Sequence, residues 1–306
     1  MKTIKIGTRG SELALYQAYR VKDELSSFFP EHKFEIVIIK TKGDKILDVP
    51  LSKIGDKGLF TKELEVQLLE NEIDLAVHSL KDLPTVFPEG TKLGAVLERA
   101  EVKDALVSKS GKKLQELPDG AVIGTSSLRR IAQVSKFNPT FKIKDIRGNV
   151  GTRLEKLLNE DYDALIMAGA GLIRLGFDKK ITELLDPKVM LPAAGQGAIA
   201  VEIRDNDSFV ENIVKKINHK HTEISVDAER TFLRALEGGC QVPIACYTQI
   251  SGNKISITGL ISSIDGKKIL KETIETELDT ASEKALKLAE KLRENGGSEI
   301  LAEIRI

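Results

Sequence analysis

Ala121-Val122-Ile123-Gly124-Thr125-Ser126-Ser127-Leu128-Arg129-Arg130 reads as a buried strand, a turn of small residues and the start of a helix. The chain opens with the same grammar. There Ile6-Gly7-Thr8-Arg9-Gly10-Ser11 closes a strand over Thr3–Gly7, and Ser11 is placed to cap a helix that buries Ala14, Ala18, Val21 and Leu25. A second pair follows in the same order. Leu68-Leu69-Glu70-Asn71-Glu72-Ile73-Asp74-Leu75-Ala76-Val77 resembles Leu157-Leu158-Asn159-Glu160-Asp161-Tyr162-Asp163-Ala164-Leu165-Ile166, each a helix end, a turn and a buried strand. Two echoes in one order imply two doubly wound α/β domains of one architecture, and weigh against a chance likeness of generic βαβ segments.

Further strands are expected over Phe34–Ile39 and Leu93–Leu97. Near Glu98 to Lys103 the chain leaves its first unit. Leu191-Pro192-Ala193-Ala194-Gly195-Gln196-Gly197 reads as a crossover, and the strand Ala198–Ile203 as a return to that unit. After a helix through Ala228, Phe232, Leu233 and Leu236 the pattern changes. Tyr247–Ile250, Lys254–Ser262 and Lys268–Glu277 alternate and are separated by Gly252-Asn253 and Asp265-Gly266, which is the grammar of antiparallel hairpins. A helix over Thr280–Glu294 closes against them. The expected division is 1–98 with 198–216, then 99–197, then an α+β domain over 217–306.

The chain has 306 residues, 41% hydrophobic and 30% charged, which suits a soluble protein of two or three domains. Forty-six basic residues balance 46 acidic ones, so no global field favours nucleic acid or an anionic membrane. Met1–Ile6 reads as a first strand, not an export signal, and the longest apolar run, Ala164 to Ile173, is too short to span a bilayer. Two cysteines make no disulfide framework. A cytoplasmic protein with reduced thiols is expected.

His78-Ser79-Leu80-Lys81-Asp82-Leu83-Pro84 follows the apolar run Asp74–Val77 and so sets a hydroxyl, an ammonium and a carboxylate past a strand's C-terminal end, where open α/β sheets bind ligands. Pro84 stops a helix and biases Leu83 to an extended backbone, which stiffens the loop. Arg9, Arg129, Arg130, Arg147, Arg153 and Arg174 all lie by strand-end turns. Any one of them suits a solvated surface. As a set, in a chain without net charge, they imply an anion-lined cleft, since guanidinium forks match carboxylates. No His/Cys cluster has metal-ligand spacing, and no metal is expected. Thr41 to Lys57 is polar and unpatterned, the mark of a lid or disordered loop, and most of its lysines suit solvent. Cys240, in Glu237-Gly238-Gly239-Cys240-Gln241-Val242-Pro243, is uncrowded, but a helix C-terminus does not favour a thiolate. A thiol used once as a permanent anchor needs no such activation. Cys246, inside a strand pattern, reads as a buried small residue.

Together these motifs, with Leu13-Ala14-Leu15, Lys57-Gly58-Leu59-Phe60 and Asp145-Ile146-Arg147-Gly148-Asn149-Val150, resemble the porphobilinogen deaminase (hydroxymethylbilane synthase) family in unbroken order from the first strand to the third domain. The resemblance implies two periplasmic-binding-protein-like lobes and a third domain carrying a dipyrromethane cofactor, joined by a thioether to Cys240. It implies a transferase of tetrapyrrole (haem) biosynthesis that adds four porphobilinogen units with loss of ammonia and releases hydroxymethylbilane. The catalytic carboxylate falls on Asp82. Lys81, Ser79, Thr125, Ser126, Ser127, Arg129 and Arg130 match cofactor-holding positions. Arg9, Ser11, Gln17, Arg147, Asn149, Arg153, Arg174 and Gln196 match substrate positions, and Lys53 and Lys57 fall in a mobile loop. A monomer acting on a small molecule, without nucleic acid or membrane, is implied. Glu12 stands where proline is common in the family, beside Arg9, and Gly151 where asparagine is common. The growing product carries more carboxylates than the arginines can pair at once, so their re-use is implied. Two rivals are a two-lobed small-anion binding protein and a thiol hydrolase using Cys240 with His78.

Overall fold

The computed structural model describes residues 2–45, 58–238 and 242–304, with Lys45 by its backbone alone. Lys53, Lys57 and Cys240 lie outside the described residues. Among the described residues thirteen strands form: β1 (Thr3–Thr8), β2 (Lys33–Ile38), β3 (Leu75–Ser79), β4 (Thr91–Val96), β5 (Asp104–Ser108), β6 (Val122–Gly124), β7 (Lys142–Lys144), β8 (Ala164–Ala168), β9 (Glu183–Leu184), β10 (Ile199–Arg204), β11 (Ile244–Ser251), β12 (Lys254–Ser262) and β13 (Ile269–Glu277). The chain divides into two compact units. One holds the described residues up to Ala100 with Gly197–Glu223, the other Glu101–Gln196 with the described residues from Ile224 onward.

In the first unit the sheet order is β2-β1-β3-β10-β4. Strand β1 is parallel to β2 and β3, and β10 is antiparallel to β3 and β4. Helix Glu12–Phe28 covers one face with Ala18, Val21 and Leu25, and helix Lys62–Leu69 covers the other with Leu64 and Leu68. Two covered faces explain why the first four residues of β3 are all buried instead of alternating. A Cβ at Gly7 would lie 2.3 Å from the Ile73 Cδ1, so a larger residue there would have to displace that side chain.

The second unit repeats the pattern. Its order is β7-β6-β8-β5-β9, with β6 parallel to β7 and β8, and β5 antiparallel to β8 and β9. In each sheet the fourth strand is antiparallel and lies next to a passage of the chain between the units: β5 as it enters the second unit, β10 as it returns to the first. The return strand is expected from the sequence. Strand β5 is not, because Ala105-Leu106-Val107 lacks the helix end and turn that lead into the equally short apolar runs of β3 and β8. Strand β3 also runs on to Ser79, so His78 and Ser79 belong to the ladder and not to the loop after it. Only Leu80–Asp82 leave it, as one 3-10 turn.

The same unit contains the antiparallel sheet β11-β12-β13. Gly252 (φ 60°) and Gly266 (φ 70°) make its turns in left-handed conformations suited to glycine. Helix Ala281–Leu292 buries Ala285, Leu288 and Leu292 against it, while helix Lys220–Ala235 adds Ala228 and Phe232. Cys246 lies in this core, a small apolar filler as its pattern suggests. One fully buried carboxylate ties the helix to its surroundings. Glu229 accepts the Gly195 N–H at 2.7 Å on one oxygen, and the Thr248 N–H and hydroxyl at 3.0 and 2.9 Å on the other. The crossover, the helix and β11 thus meet at one side chain. Glu229→Ala would strand two buried N–H donors, and is expected to lower unfolding free energy by about 3 kcal/mol. Urea denaturation measures this, and a change within 0.5 kcal/mol (roughly the surface-substitution range) would refute the role.

Candidate active site

Two groups of polar side chains stand at the carboxyl ends of the parallel strands, one in each unit. In the first unit Arg9, Ser11, Gln17, Ser79 and Asp82 line one pocket together with Phe60, Thr61 and His78. Their placement follows from the local fold. Ser11 caps the Glu12–Phe28 helix by accepting the Ala14 N–H at 3.3 Å, as its position suggests. Buried Gln17, one turn further, donates from Nε2 to the Ser79 Oγ at 2.8 Å. The helix start and the end of β3 are therefore pinned to each other. Leu80 and Leu83 are buried on either side of Lys81 and Asp82, and Leu83 is extended (φ −77°, ψ 139°), the backbone Pro84 demands. Asp82 is exposed at the pocket while the apolar residues beside it hold its backbone. Beneath it the His78 Nε2 lies 3.1 Å from a Glu202 carboxylate oxygen, whose other oxygen accepts the Thr91 hydroxyl at 2.7 Å. The two atoms lie close between β3 and β10 without a hydrogen bond.

Arg9 is held by a residue the sequence reading passed over. Its Nε and Nη2 donate to the Asp44 Oδ1 at 3.1 and 2.5 Å, and its guanidinium carbon lies 4.1 Å from the centre of the Phe60 ring. Asp44 sits in a helical turn, Lys42–Lys45, within the stretch expected to be an unpatterned loop. Its spacing from Thr41 is the one local sign of it, a Thr-x-x-Asp capping pattern. Glu12, by contrast, is exposed and is not Arg9's recorded partner.

In the second unit three expected site residues converge on a carboxylate that the sequence did not single out. Asp104, fully buried at the start of β5, receives Arg129 Nη1 at 2.6 Å, Arg130 Nη2 at 2.7 Å and Gln196 Nε2 at 3.0 Å. Arg129 also donates to the Leu191 carbonyl and Arg130 to the Ile166 carbonyl. Burial alone would raise the Asp104 carboxyl. The two guanidiniums more than offset it and hold the group far below the ordinary carboxylate range. Both arginines are nearly buried, at 5% and 6% exposure, so one carboxylate stands against two enclosed positive charges.

The other expected residues do local work here. The Ser126 hydroxyl donates to the Ile146 carbonyl at 2.9 Å and accepts the Ile146 N–H at 3.0 Å, and the Thr125 Oγ1 accepts the Ser127 N–H. Asn149 caps the Val150–Asn159 helix through the Thr152 N–H at 2.9 Å, and Arg153 donates to the Gly148 carbonyl. Arg147 and Arg174 are half-buried near strand ends, as is Lys81 beside Asp82. Among the described residues no group of His, Cys, Asp and Glu is arranged to hold a metal ion, and no helix is long and apolar enough to cross a membrane.

Two family descriptions match the chain. "Porphobilinogen deaminase, dipyromethane cofactor binding domain" covers residues 4–212, and "Porphobilinogen deaminase, C-terminal domain" covers 224–294. The porphobilinogen deaminase of Desulforamulus reducens is 50% identical over 302 residues, 99% of this chain and 98% of its own length. That of Carboxydothermus hydrogenoformans is 50% identical over 304 residues, again 99% and 98% of the two chains. Among solved structures, the VFT2 domain of Bordetella pertussis BvgS aligns with 16% identity and a TM-score of 0.43, over 70% of this chain and 86% of that one.

The Asp104 cluster carries a stability consequence. A carboxyl depressed in the folded state stabilises above its unfolded value of 3.8, and this is lost as pH falls toward the folded value. Asp104→Asn should therefore cost about 3–5 kcal/mol at neutral pH, by leaving two buried guanidiniums without their counter-charge. The deficit should shrink below pH 3.8. Urea midpoints of both proteins from pH 7 to 3 measure it, and a pH-independent difference would exclude the charge as its cause.

Proposed function

From the premise that the chain belongs to the porphobilinogen deaminase family, we propose that Asp82 is the catalytic carboxylate of a transferase that joins four porphobilinogen units head to tail, with loss of ammonia, and releases hydroxymethylbilane. The observation that carries the assignment is the convergence of Asp82 with Arg9, Ser11, Gln17 and Ser79 on one pocket at the carboxyl ends of β1 and β3. The family's domain that matches residues 4–212 binds a dipyrromethane cofactor. The residues present suit such a group. Two buried guanidiniums share one carboxylate, which leaves a positive charge for an acidic side chain to meet, and Arg129 keeps its Nε without a recorded acceptor among the described residues. When bound, through a thioether to Cys240, the cofactor supplies the pyrrole carbon to which the first unit is joined. Arg129 and Arg130 with Lys81, Ser79, Thr125, Ser126 and Ser127 would hold it.

The residues of this chain then have separate tasks. Asp82 accepts the pyrrole N–H of the reacting ring, offers a fixed negative charge where positive charge develops as ammonia leaves, and holds the proton that must be shed. Its position on a short turn between buried leucines keeps that charge in place, so little reorganisation is needed at the reacting moment. Arg9 binds a substrate carboxylate, with Ser11 and Gln17 beside it. Arg147, Asn149, Arg153, Arg174 and Gln196 are the second unit's substrate contacts, and Lys53 and Lys57 match the family's loop segment. Porphobilinogen is the small-molecule partner of a cytoplasmic monomer that uses no nucleic acid or membrane. The chain divides in three, 1–98 with 198–216, 99–197, and 217–306.

Asp82→Asn is expected to fold, to retain its cofactor, and to lose about 10²–10⁴ in rate. Turnover of porphobilinogen, followed by ammonia release, measures this, and near-normal turnover would refute the role. Cys240→Ala should yield a polypeptide of unmodified mass that gives no colour with Ehrlich's reagent. Retention of a bound pyrrole would show that the tether lies elsewhere.

A further inference from the structure

A guanidinium has two edges that can receive a carboxylate in parallel: the side edge, Nε with Nη2, and the end, Nη1 with Nη2. In Arg9 the side edge is already taken. Asp44 accepts from Nε at 3.1 Å and from Nη2 at 2.5 Å through Oδ1. Its Oδ2 is held in turn by the Thr41 N–H at 3.2 Å and the Thr41 hydroxyl at 2.8 Å. Thr41 is fully buried and does not line the pocket. The turn carrying Asp44 is fixed from a second direction, where the Gly43 N–H donates to the Leu59 carbonyl at 3.0 Å and the Lys42 N–H to Glu63 at 2.9 Å. Gly43 is needed here, because a Cβ would lie 2.2 Å from the Phe60 ring. That ring covers the face of the Arg9 guanidinium. One edge and one face are thus closed by the protein. Nη1 has no recorded acceptor among the described residues, and Arg9 lines the pocket.

We propose that Asp44 is a positioning residue for substrate binding: it locks the side edge of Arg9 so that the guanidinium presents only its end to a substrate carboxylate. The proposal rests on the reading of Arg9 as a substrate grip. It adds a physical consequence. The Arg9–Asp44 pair is neutral as a whole, so it orients a carboxylate strongly while attracting it weakly, which suits a grip that must let go at every addition. Burial alone would raise the Asp44 carboxyl. Hydrogen bonds and charge from Arg9, with Thr41, outweigh this and keep it ionised and in place.

The test is a double-mutant cycle on the cofactor-bearing enzyme, with intact mass confirming the cofactor in every variant. Arg9→Ala alone examines the underlying reading: an unchanged KM for porphobilinogen would refute the grip, and the positioning role with it. If Arg9→Ala raises KM, Asp44→Asn is expected to raise it by about 10- to 100-fold with kcat within a few-fold, the signature of lost binding through a misplaced group. In the Arg9→Ala background Asp44→Asn should then add nothing. Thr41→Val, which removes one support of Asp44 and touches no substrate, should give a smaller rise of the same kind and serves if Asp44→Asn does not fold. An unchanged or lowered KM in Asp44→Asn, or effects that add in the double variant, would overturn the proposal and leave the role of Arg9 standing.

Discussion

A single carboxylate, that of Asp104, holds the second unit's parts in register. It stands at the first residue of β5, receives two arginines from the first turn of the Leu128–Phe137 helix, and receives Gln196 from the crossover. Without it two guanidiniums would be enclosed with no counter-charge, a state that costs several kcal/mol per ion. Strand β5 must therefore be in the sheet, and the crossover against the helix, before those arginines can be buried. The ionic cluster selects an arrangement of three chain segments more than it adds net stability, since buried pairs roughly return what their desolvation costs.

The chain carries no net charge, so attraction for anions has to be built locally. The two units do this with different stoichiometry. In the second, two arginines to one aspartate leave a buried positive charge. That suits a ligand held permanently. In the first, one arginine to one aspartate leaves none, and the site keeps direction without strong attraction. That suits a ligand exchanged repeatedly. Both arrangements use an internal acid to fix a guanidinium.

Much of the fold was legible because periodicity and turn chemistry are local. The paired Gly-Thr turns announced two like sheets, and the strand orders β2-β1-β3-β10-β4 and β7-β6-β8-β5-β9 repeat position for position. Pro84 fixed the backbone of Leu83, and Ser11 declared its helix start. The arginines beside strand ends were visible for the same reason. Their partners were not. Asp104 lies far from Arg129 in sequence, in a strand with no helix-and-turn lead-in to announce it, and a carboxylate bears no mark of the cation it will meet. Asp44 was hidden in a stretch whose lysines and glycines read as loop. Only the enclosed helical turn makes its spacing from Thr41 meaningful. The reading of Ser79 as a loop residue failed by one strand register, because a hydroxyl and a histidine at a strand's end look like turn residues until Glu202 is seen across the ladder.

The proposed tether at Cys240 depends on the segment that bears it. A covalent anchor places its cargo only as well as the segment bearing it is placed. Cys240 follows the Lys220–Ala235 helix in sequence, and that helix carries Glu229. Through Glu229 it is bonded to Gly195, next to the Gln196 that reaches Asp104. The Lys220–Ala235 helix and the buried arginines are therefore referred to the same turn of the crossover by hydrogen bonds of 2.7 to 3.0 Å. A shift of that helix moves the crossover, and with it one donor of the cluster. The helix that precedes the proposed tether and the arginines proposed to receive its cargo are linked by a few buried polar contacts, which is where precision is cheapest: each is short, directional and costly to leave unmade.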